Sequence, residues 1–144
     1  MTMKKKVWII VALMSVVSVF TACGARQTKQ SIYKDILGKW QVSALRGDAV
    51  TPEKGKLEFS FDLRQGRIHG YGLCNQFSGS FVLKESGSLS VSELLSTLVG
   101  CENDFLETAL FDALQEATRI EIKGDKALVY GKGSDTAIME LKRR

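Results

Sequence analysis

Three cysteines, at positions 23, 74 and 101, and a single histidine, His69, are the residues of this chain with the most chemical potential. A thiol beside an imidazole could supply a nucleophile and its base, and cysteine with histidine could bind zinc, which takes three or four protein ligands. One histidine and two cysteines that are expected to pair are too few for zinc. His69 is expected to face outward from a strand, and its separation of five residues from Cys74 across a turn need not bring the two side chains together. We therefore predict no metal site, and a catalytic cysteine is disfavoured.

Acidic side chains are the remaining candidates for acid–base chemistry, and Glu58, Asp62, Glu107 and Glu116 all fit solvated faces of their strands or helix. No set of nucleophile, base and orienting group is evident. The glycine pair in Gly70-x-Gly72 lacks the third glycine and the following helix of a dinucleotide site. The sequence thus predicts a protein without enzymatic activity and without a cofactor.

The N-terminus predicts export. Residues 1–22 combine a basic start, Lys4 to Lys6, with an uncharged apolar run from Val7 to Val19. That run is shorter than the ~20 residues of a membrane-spanning helix and fits the apolar region of a signal peptide. The junction Phe20-Thr21-Ala22-Cys23 resembles the bacterial lipobox, which predicts a lipid on Cys23 and explains the odd cysteine. An ordinary signal peptide that ends near a cysteine is the alternative.

Residues 23–35 begin with a polar stretch and are expected to form a flexible tether between the lipid and the folded domain. Without the leader the chain carries 17 basic and 16 acidic residues, so its basic character reports export and nucleic-acid binding is not expected. The predicted location is the cell envelope, anchored to the outer membrane and facing the periplasm. The oligomeric state stays open.

Residues 36–144 are expected to form one domain. Apolar and polar residues alternate along residues 57–63, and similar short segments recur along the chain, which is typical of strands with one buried face. Residues 103–117 instead place apolar side chains at helical spacing, with Asn103 or Asp104 as the N-cap. This pattern predicts a mainly β fold: a small antiparallel β-barrel or a strongly curled sheet, closed by a single helix.

Two blocks of sequence stand out within this domain, residues 70–81 (GYGLCNQFSGSF) and residues 97–101 (TLVGC). Together with Gly38-Lys39-Trp40 they resemble the META domain, a small envelope module that includes the HslJ-type lipoproteins. The resemblance covers residues 36–142 and implies much the same architecture. It carries no settled biochemical activity, only an association with heat response and drug tolerance in Gram-negative bacteria. We expect a role in envelope maintenance or stress tolerance.

The cysteines of the two blocks, Cys74 and Cys101, are expected to form a disulfide in an oxidising compartment. Two reduced thiols packed as small apolar groups are the alternative.

The turn expected over residues 72–79, together with the apolar segment 94–99, is our predicted binding surface. A purely structural role for both segments is the alternative. The partner would be an unidentified envelope protein or an apolar ligand. There are two further hypotheses: a carrier barrel with an internal cavity, and an inhibitor that presents a rigid loop to an envelope hydrolase. Asn75 is also a candidate for left-handed backbone geometry. The predicted contact residues are Gly72, Asn75, Gln76, Phe77, Ser78, Leu94, Leu95 and Leu98.

Overall fold

A computed structural model describes residues 31–100, 102 and 104–144. The predicted signal peptide, Cys23, most of the tether, Cys101 and Asn103 lie outside the described residues. Neither helix of the described part is long and apolar enough to cross a membrane.

The described residues form nine strands and two helices. Every neighbouring pair of strands is antiparallel, and the order across the sheet is β6-β5-β4-β3-β1-β9-β8-β7, with β2 attached to β1. The elements are α1 (Ile32–Asp35), β1 (Lys39–Leu45), β2 (Asp48–Ala49), β3 (Glu58–Asp62), β4 (Arg67–Tyr71), β5 (Gln76–Leu83), β6 (Leu89–Ser96), α2 (Phe105–Glu116), β7 (Ala117–Lys123), β8 (Lys126–Gly131) and β9 (Ala137–Arg143).

The sheet curls into an open half-barrel, which confirms the curled-sheet form of the prediction. Its two edge strands meet only at one end, where Ser88 bridges Arg119 and the amide of Ile120 donates to the carbonyl of Gly87 at 2.8 Å. A Cβ on Gly87 would lie 2.7 Å from the carbonyl oxygen of Ile120, so this close approach of the two strands needs a residue without a side chain.

The core fills the inside of the curl. The predicted alternation over residues 57–63 is confirmed, because Leu57, Phe59 and Phe61 are buried while the residues between them are half-buried. Phe59 contacts Phe61 and Phe77 in edge-to-face geometry, a favoured arrangement of aromatic rings. The buried side chains form one hydrophobic cluster inside the curl.

Helix α2 packs against β6, β1, β8 and β9, and its buried face includes Leu110, Ala113 and Leu114. Asp104 occupies the N-cap position without a side-chain capping bond. Two residues depart from the predicted pattern. Phe105 is 77% exposed, and Glu107, expected on a solvated face, is only 5% exposed.

Two further expectations need correction, and one strand was not predicted. The turn predicted over residues 72–79 covers only residues 72–75, because β5 begins at Gln76 and pairs with β4 and β6. Asn75 has no positive φ; among the described non-glycine residues, positive φ occurs at Arg46, Leu57 and Glu93. Strand β2 had no sequence signal, since it has only two residues, both exposed.

Candidate functional site

The carboxylate of Glu107 joins helix α2 to the turn between β4 and β5. Its Oε2 accepts the backbone amides of Cys74 at 2.9 Å and Asn75 at 3.0 Å, and its Oε1 accepts the Nδ2 of Asn75. Successive backbone amides that converge on one point form an anion-binding concavity. Here the occupant is a side chain of the same protein, so we call this set the Glu107 junction.

Gly72 makes room for the carboxylate. A Cβ at this position would lie 2.3 Å from Oε2 of Glu107 and 2.8 Å from its Cδ, well inside van der Waals contact. The amide of Gly72 donates to the carbonyl of Asn75 at 2.8 Å and closes the turn. A side chain at this position would have to displace the Glu107 carboxylate, so close approach rather than backbone conformation explains the glycine.

Asn75 extends the junction to the segment that follows β6. Its Oδ1 accepts from Thr97 Oγ1 at 2.8 Å and from the Val99 amide at 2.7 Å, while its Nδ2 also donates to the Val99 carbonyl at 3.2 Å. The hydroxyl oxygen of Thr97 accepts the Gln76 amide at 3.2 Å. One buried amide side chain thus fixes the relative positions of the turn, the β6–α2 connection and the helix.

Burial and hydrogen bonding act in opposite directions on Glu107. Burial raises the pKa of its carboxyl, because it disfavours the charged form. The donors from Asn75, Cys74 and Leu73 favour the carboxylate, and together they hold the pKa below its ordinary value. The net effect favours the charged carboxylate that these donors bind.

A surface pocket of about 530 Å³ opens beside the Glu107 junction. Val50, Leu73 and Leu106, all packed against the core, form an apolar floor with the buried Leu57. Ligand-binding clefts commonly have volumes of about 300–1,000 Å³ and mainly apolar linings. The edge of the pocket carries charged residues, which we call the pocket rim: Asp48, Glu53, Glu102 and Lys56.

The pocket wall is held in place before any ligand arrives. Gln41 Nε2 donates to the carbonyls of Glu53 and Lys56, and the Lys56 amide donates to the Glu53 carbonyl at 3.0 Å. Leu57 has φ 48°, a left-handed conformation that costs a bulky residue about 1–3 kcal/mol. Its amide donates to the Gly72 carbonyl at 3.0 Å, so the pocket floor is bonded directly to the turn of the junction.

The predicted binding residues divide into two groups. Gly72, Asn75 and Phe77 are buried; the first two belong to the junction, and the Phe77 ring packs against Phe111 with centroids 5.3 Å apart. These three offer no surface to a partner. Gln76 is exposed, and Ser78 is half-buried with its hydroxyl oxygen bonded to Arg67 at 3.2 Å. The rigid loop postulated for an inhibitor is absent at residues 76–78, which are part of strand β5.

The apolar segment 94–99 is the predicted part that reaches solvent. Leu94 is half-buried, Leu95 and Val99 are exposed, and Leu98 is 97% exposed. Together with Phe105 at the start of α2, these exposed residues bracket the β6–α2 connection. We call Leu95, Leu98, Val99 and Phe105 the apolar rim.

Cys74 lies in the turn, and its amide belongs to the junction. Cys101 lies outside the described residues, as does Cys23, so the disulfide and the lipidation stay predictions. His69 is exposed on β4, paired across the sheet with Ser60 and Ser78, as expected. Among the described residues no three His, Cys, Asp or Glu side chains lie close enough to hold a metal ion.

Comparison with known proteins identifies the domain. The family model of the META domain matches residues 34–143. The chain belongs to the META domain family. Comparison with curated proteins finds no significant match.

Solved structures share the fold of this META domain. A protein solved by NMR is 22% identical with a TM-score of 0.59, over 75% of this chain and 90% of its own. An NMR structure from Burkholderia xenovorans is 20% identical with a TM-score of 0.60, over 80% and 88%. A crystal structure of a duf4847 family protein from Bacteroides vulgatus ATCC 8482 is 12% identical with a TM-score of 0.54, over 76% and 94%. At these identities the likeness establishes the fold alone.

The residues of this META domain that carried the resemblance have structural roles. Trp40 is fully buried, its Nε1 donates to the Ile36 carbonyl at 2.8 Å, and the Arg143 guanidinium stacks 4.3 Å from its ring centre. Gly38 has φ 105°, which a residue with a side chain rarely adopts. Gly72, Asn75 and Thr97 build the junction. The described part of the signature is therefore mainly a folding signature.

Sequence analysis missed Glu107 and the pocket. The sequence signal for the burial of Glu107 was its position on the helix. Positions 107, 110 and 114 are separated by steps of three and four, so Glu107 shares a face with two leucines of the core. Phe105 instead shares a face with the exposed Thr108 and Asp112. The pocket had no comparable signal, since its lining comes from three segments that are distant in sequence.

Proposed function

We propose that this META domain protein is a lipid-anchored, non-enzymatic protein of the cell envelope that acts by binding, in envelope maintenance or stress tolerance. The basic and apolar leader followed by Cys23 supports the anchor. The family supports the envelope role. The location that best fits these features is the outer membrane, facing the periplasm.

We propose further that an apolar ligand binds in the surface pocket. The observation that carries this proposal is a preformed concavity of about 530 Å³ with a floor of Val50, Leu57, Leu73 and Leu106. Because its wall and floor are fixed by hydrogen bonds, little conformational entropy is lost on binding.

The anchor and the ligand can be tested in one preparation from native membranes. We expect intact mass to give a di- or triacylglyceryl adduct on Cys23, since several acyl chains anchor stably where one binds marginally. Cys23→Ser should leave the membrane fraction; a processed variant that stays there contradicts the anchor.

Mass spectrometry of co-purified small molecules should find a ligand with the wild type and lose it with Ala49→Trp, which fills the pocket from an exposed position. Ser90→Trp, which adds the same side chain at an exposed position of β6 outside the pocket, is the matched control. The same species recovered at the same yield from Ala49→Trp contradicts the pocket as its site.

A chemical role is tested separately. His69→Ala should leave the envelope-stress phenotype of a folded, anchored protein intact. If this substitution alone abolished function, the non-enzymatic interpretation would fail.

A partner protein bound at the apolar rim is a second candidate function. Exposed apolar clusters often mark protein–protein contacts, and Leu98 is almost wholly exposed. A photo-crosslinker in place of Leu98 should capture a discrete envelope protein, and Leu95→Ser with Phe105→Ser should abolish that capture. A crosslinker at Val82, an exposed apolar residue of β5, is the matched control.

A further inference from the structure

We propose that the pocket beside the Glu107 junction selects cationic amphiphiles, small molecules with an apolar body and a protonated amine. This inference rests on the proposed ligand-binding function of the pocket and adds the chemical class of its ligand.

The apolar half of the ligand is set by the floor. Val50, Leu73 and Leu106 are half-buried and packed against the core, so they leave a fixed apolar surface at the bottom of the pocket. Covering such a surface is favourable in proportion to the apolar area removed from water. The volume of about 530 Å³ suits a short chain or a small ring system rather than a folded protein segment.

The charged residues of the pocket rim determine which ligand charge the pocket favours. Three acidic residues, Asp48, Glu53 and Glu102, line the pocket together with one basic residue, Lys56. No ion pair among the residues that the structure describes engages any of the three. The Lys56 ammonium lies 4.7 Å from the ring centre of Tyr71, in a cation–π contact.

The pocket rim is more acidic than the chain as a whole. Without the leader the chain carries 17 basic and 16 acidic residues, whereas acidic residues outnumber basic ones by three to one around the pocket. Carboxylates that share one concavity attract cations and repel anions, and this selectivity weakens as salt screens the charges. A fatty acid would therefore be disfavoured where an alkylamine is accepted.

Three probes of matched chain length separate the two halves of the proposal. The ¹⁵N-labelled full chain in phosphatidylcholine nanodiscs is titrated with hexylammonium, 1-hexanol and hexanoate, and empty nanodiscs correct for partitioning. We expect the amide signals of Val50, Leu73 and Leu106 to shift. The affinity for hexylammonium should be about tenfold higher than that for hexanoate, and the affinity for 1-hexanol should lie between these two. Raising the salt concentration should narrow that difference.

The combined substitutions Asp48→Asn, Glu53→Gln and Glu102→Gln should weaken hexylammonium binding about tenfold and change hexanol binding less than twofold. The matched control neutralises three exposed acids away from the pocket, Asp125→Asn, Asp135→Asn and Glu140→Gln, and should change neither. If hexylammonium and hexanoate bind with equal affinity, and the combined variant of Asp48, Glu53 and Glu102 does not change those affinities, the cationic class is overturned while the pocket remains a ligand site. If no probe shifts the floor residues, or if Ala49→Trp changes nothing, both the class and the pocket are overturned.

Discussion

Glu107 in the first turn of α2 and Asn75 in the turn between β4 and β5 form a side-chain hydrogen bond across 32 residues of sequence. The pair connects a helix to the sheet by a carboxylate that would otherwise be a buried, unsatisfied charge. Every other hydrogen bond of the Asn75 side chain goes to the segment after β6. The relationship therefore sets how the helix closes the open side of the curled sheet, and through Leu73 and Leu106 it shapes the pocket.

Removing the charge of Glu107 should destabilise the fold. In Glu107→Gln the new side-chain NH₂ group would face hydrogen-bond donors. Asn75 cannot rotate its amide to present its oxygen to that NH₂ group without breaking the hydrogen bond that the Val99 amide donates to the same oxygen. We expect a loss of about 2 kcal/mol in the free energy of unfolding for Gln, and about 3 kcal/mol for Glu107→Ala, which leaves several buried donors unpaired. Urea unfolding followed by circular dichroism measures both. Glu102→Gln, at an exposed position of the pocket rim, should stay within about 0.5 kcal/mol. An equally small effect of Glu107→Ala would contradict the structural role.

The contribution of Glu107 should depend on pH in one direction. Its pKa is lowered in the folded state, so the stabilisation is fully present above the unfolded value of about 4.3 and is lost as pH falls through the folded pKa. The difference in unfolding free energy between wild type and Glu107→Gln should be constant from pH 8 to about 5 and shrink below that. A difference that already shrinks above pH 5 would mean that burial dominates and the pKa is raised.

Glu116 provides the comparison for that pH series. The bond from Arg46 lowers its pKa too, but this pair is largely exposed. Glu116→Gln should therefore change the pH profile in the same sense but by a smaller amount, since exposed ion pairs contribute little.

Close packing at Gly72 can be tested with a single methyl group. Gly72→Ala places a Cβ against the Glu107 carboxylate and should cost about 2–3 kcal/mol, because it breaks the junction or displaces the helix. Gly100→Ala adds the same methyl group where nothing lies within 4 Å, and should change the free energy of unfolding by less than about 0.5 kcal/mol. Thermal unfolding of the two variants side by side gives the comparison, and similar melting temperatures would count against the close-approach explanation.

The predicted disulfide between Cys74 and Cys101 should link the junction covalently to the connection before α2. In the chain-entropy model, closing a loop of this length stabilises the fold by about 3.5 kcal/mol. Non-reducing peptide mapping of the envelope-purified protein should recover the two cysteines in one linked species. Recovery of both as free thiols would overturn the pairing, and unfolding with and without reductant measures its contribution.

The sequence by itself determined the fold class and most of the elements. Alternation over residues 57–63 predicted β3, because a strand with one buried face must alternate. Gly124 and Asp125 are residue types that favour a tight two-residue turn, and they connect β7 to β8, where Gly124 has φ 63°. Helical spacing predicted α2 within two residues at its described boundaries. These signals are local, since each reports the periodicity or backbone freedom of consecutive residues.

Only the tertiary structure decided what the signature residues do. Gly72 and Asn75 lie in a turn, but their partner, Glu107, is more than 30 residues away, and no local pattern specifies which distant group will fill a concavity of amides. The same holds for Phe105, which the helical spacing placed among the apolar positions of α2 and which is 77% exposed. Burial of a side chain depends on which surfaces the folded sheet presents, and hydrogen-bond partners depend on how the helix docks. Both are properties of long-range packing, so the pocket that results from them became visible only in three dimensions.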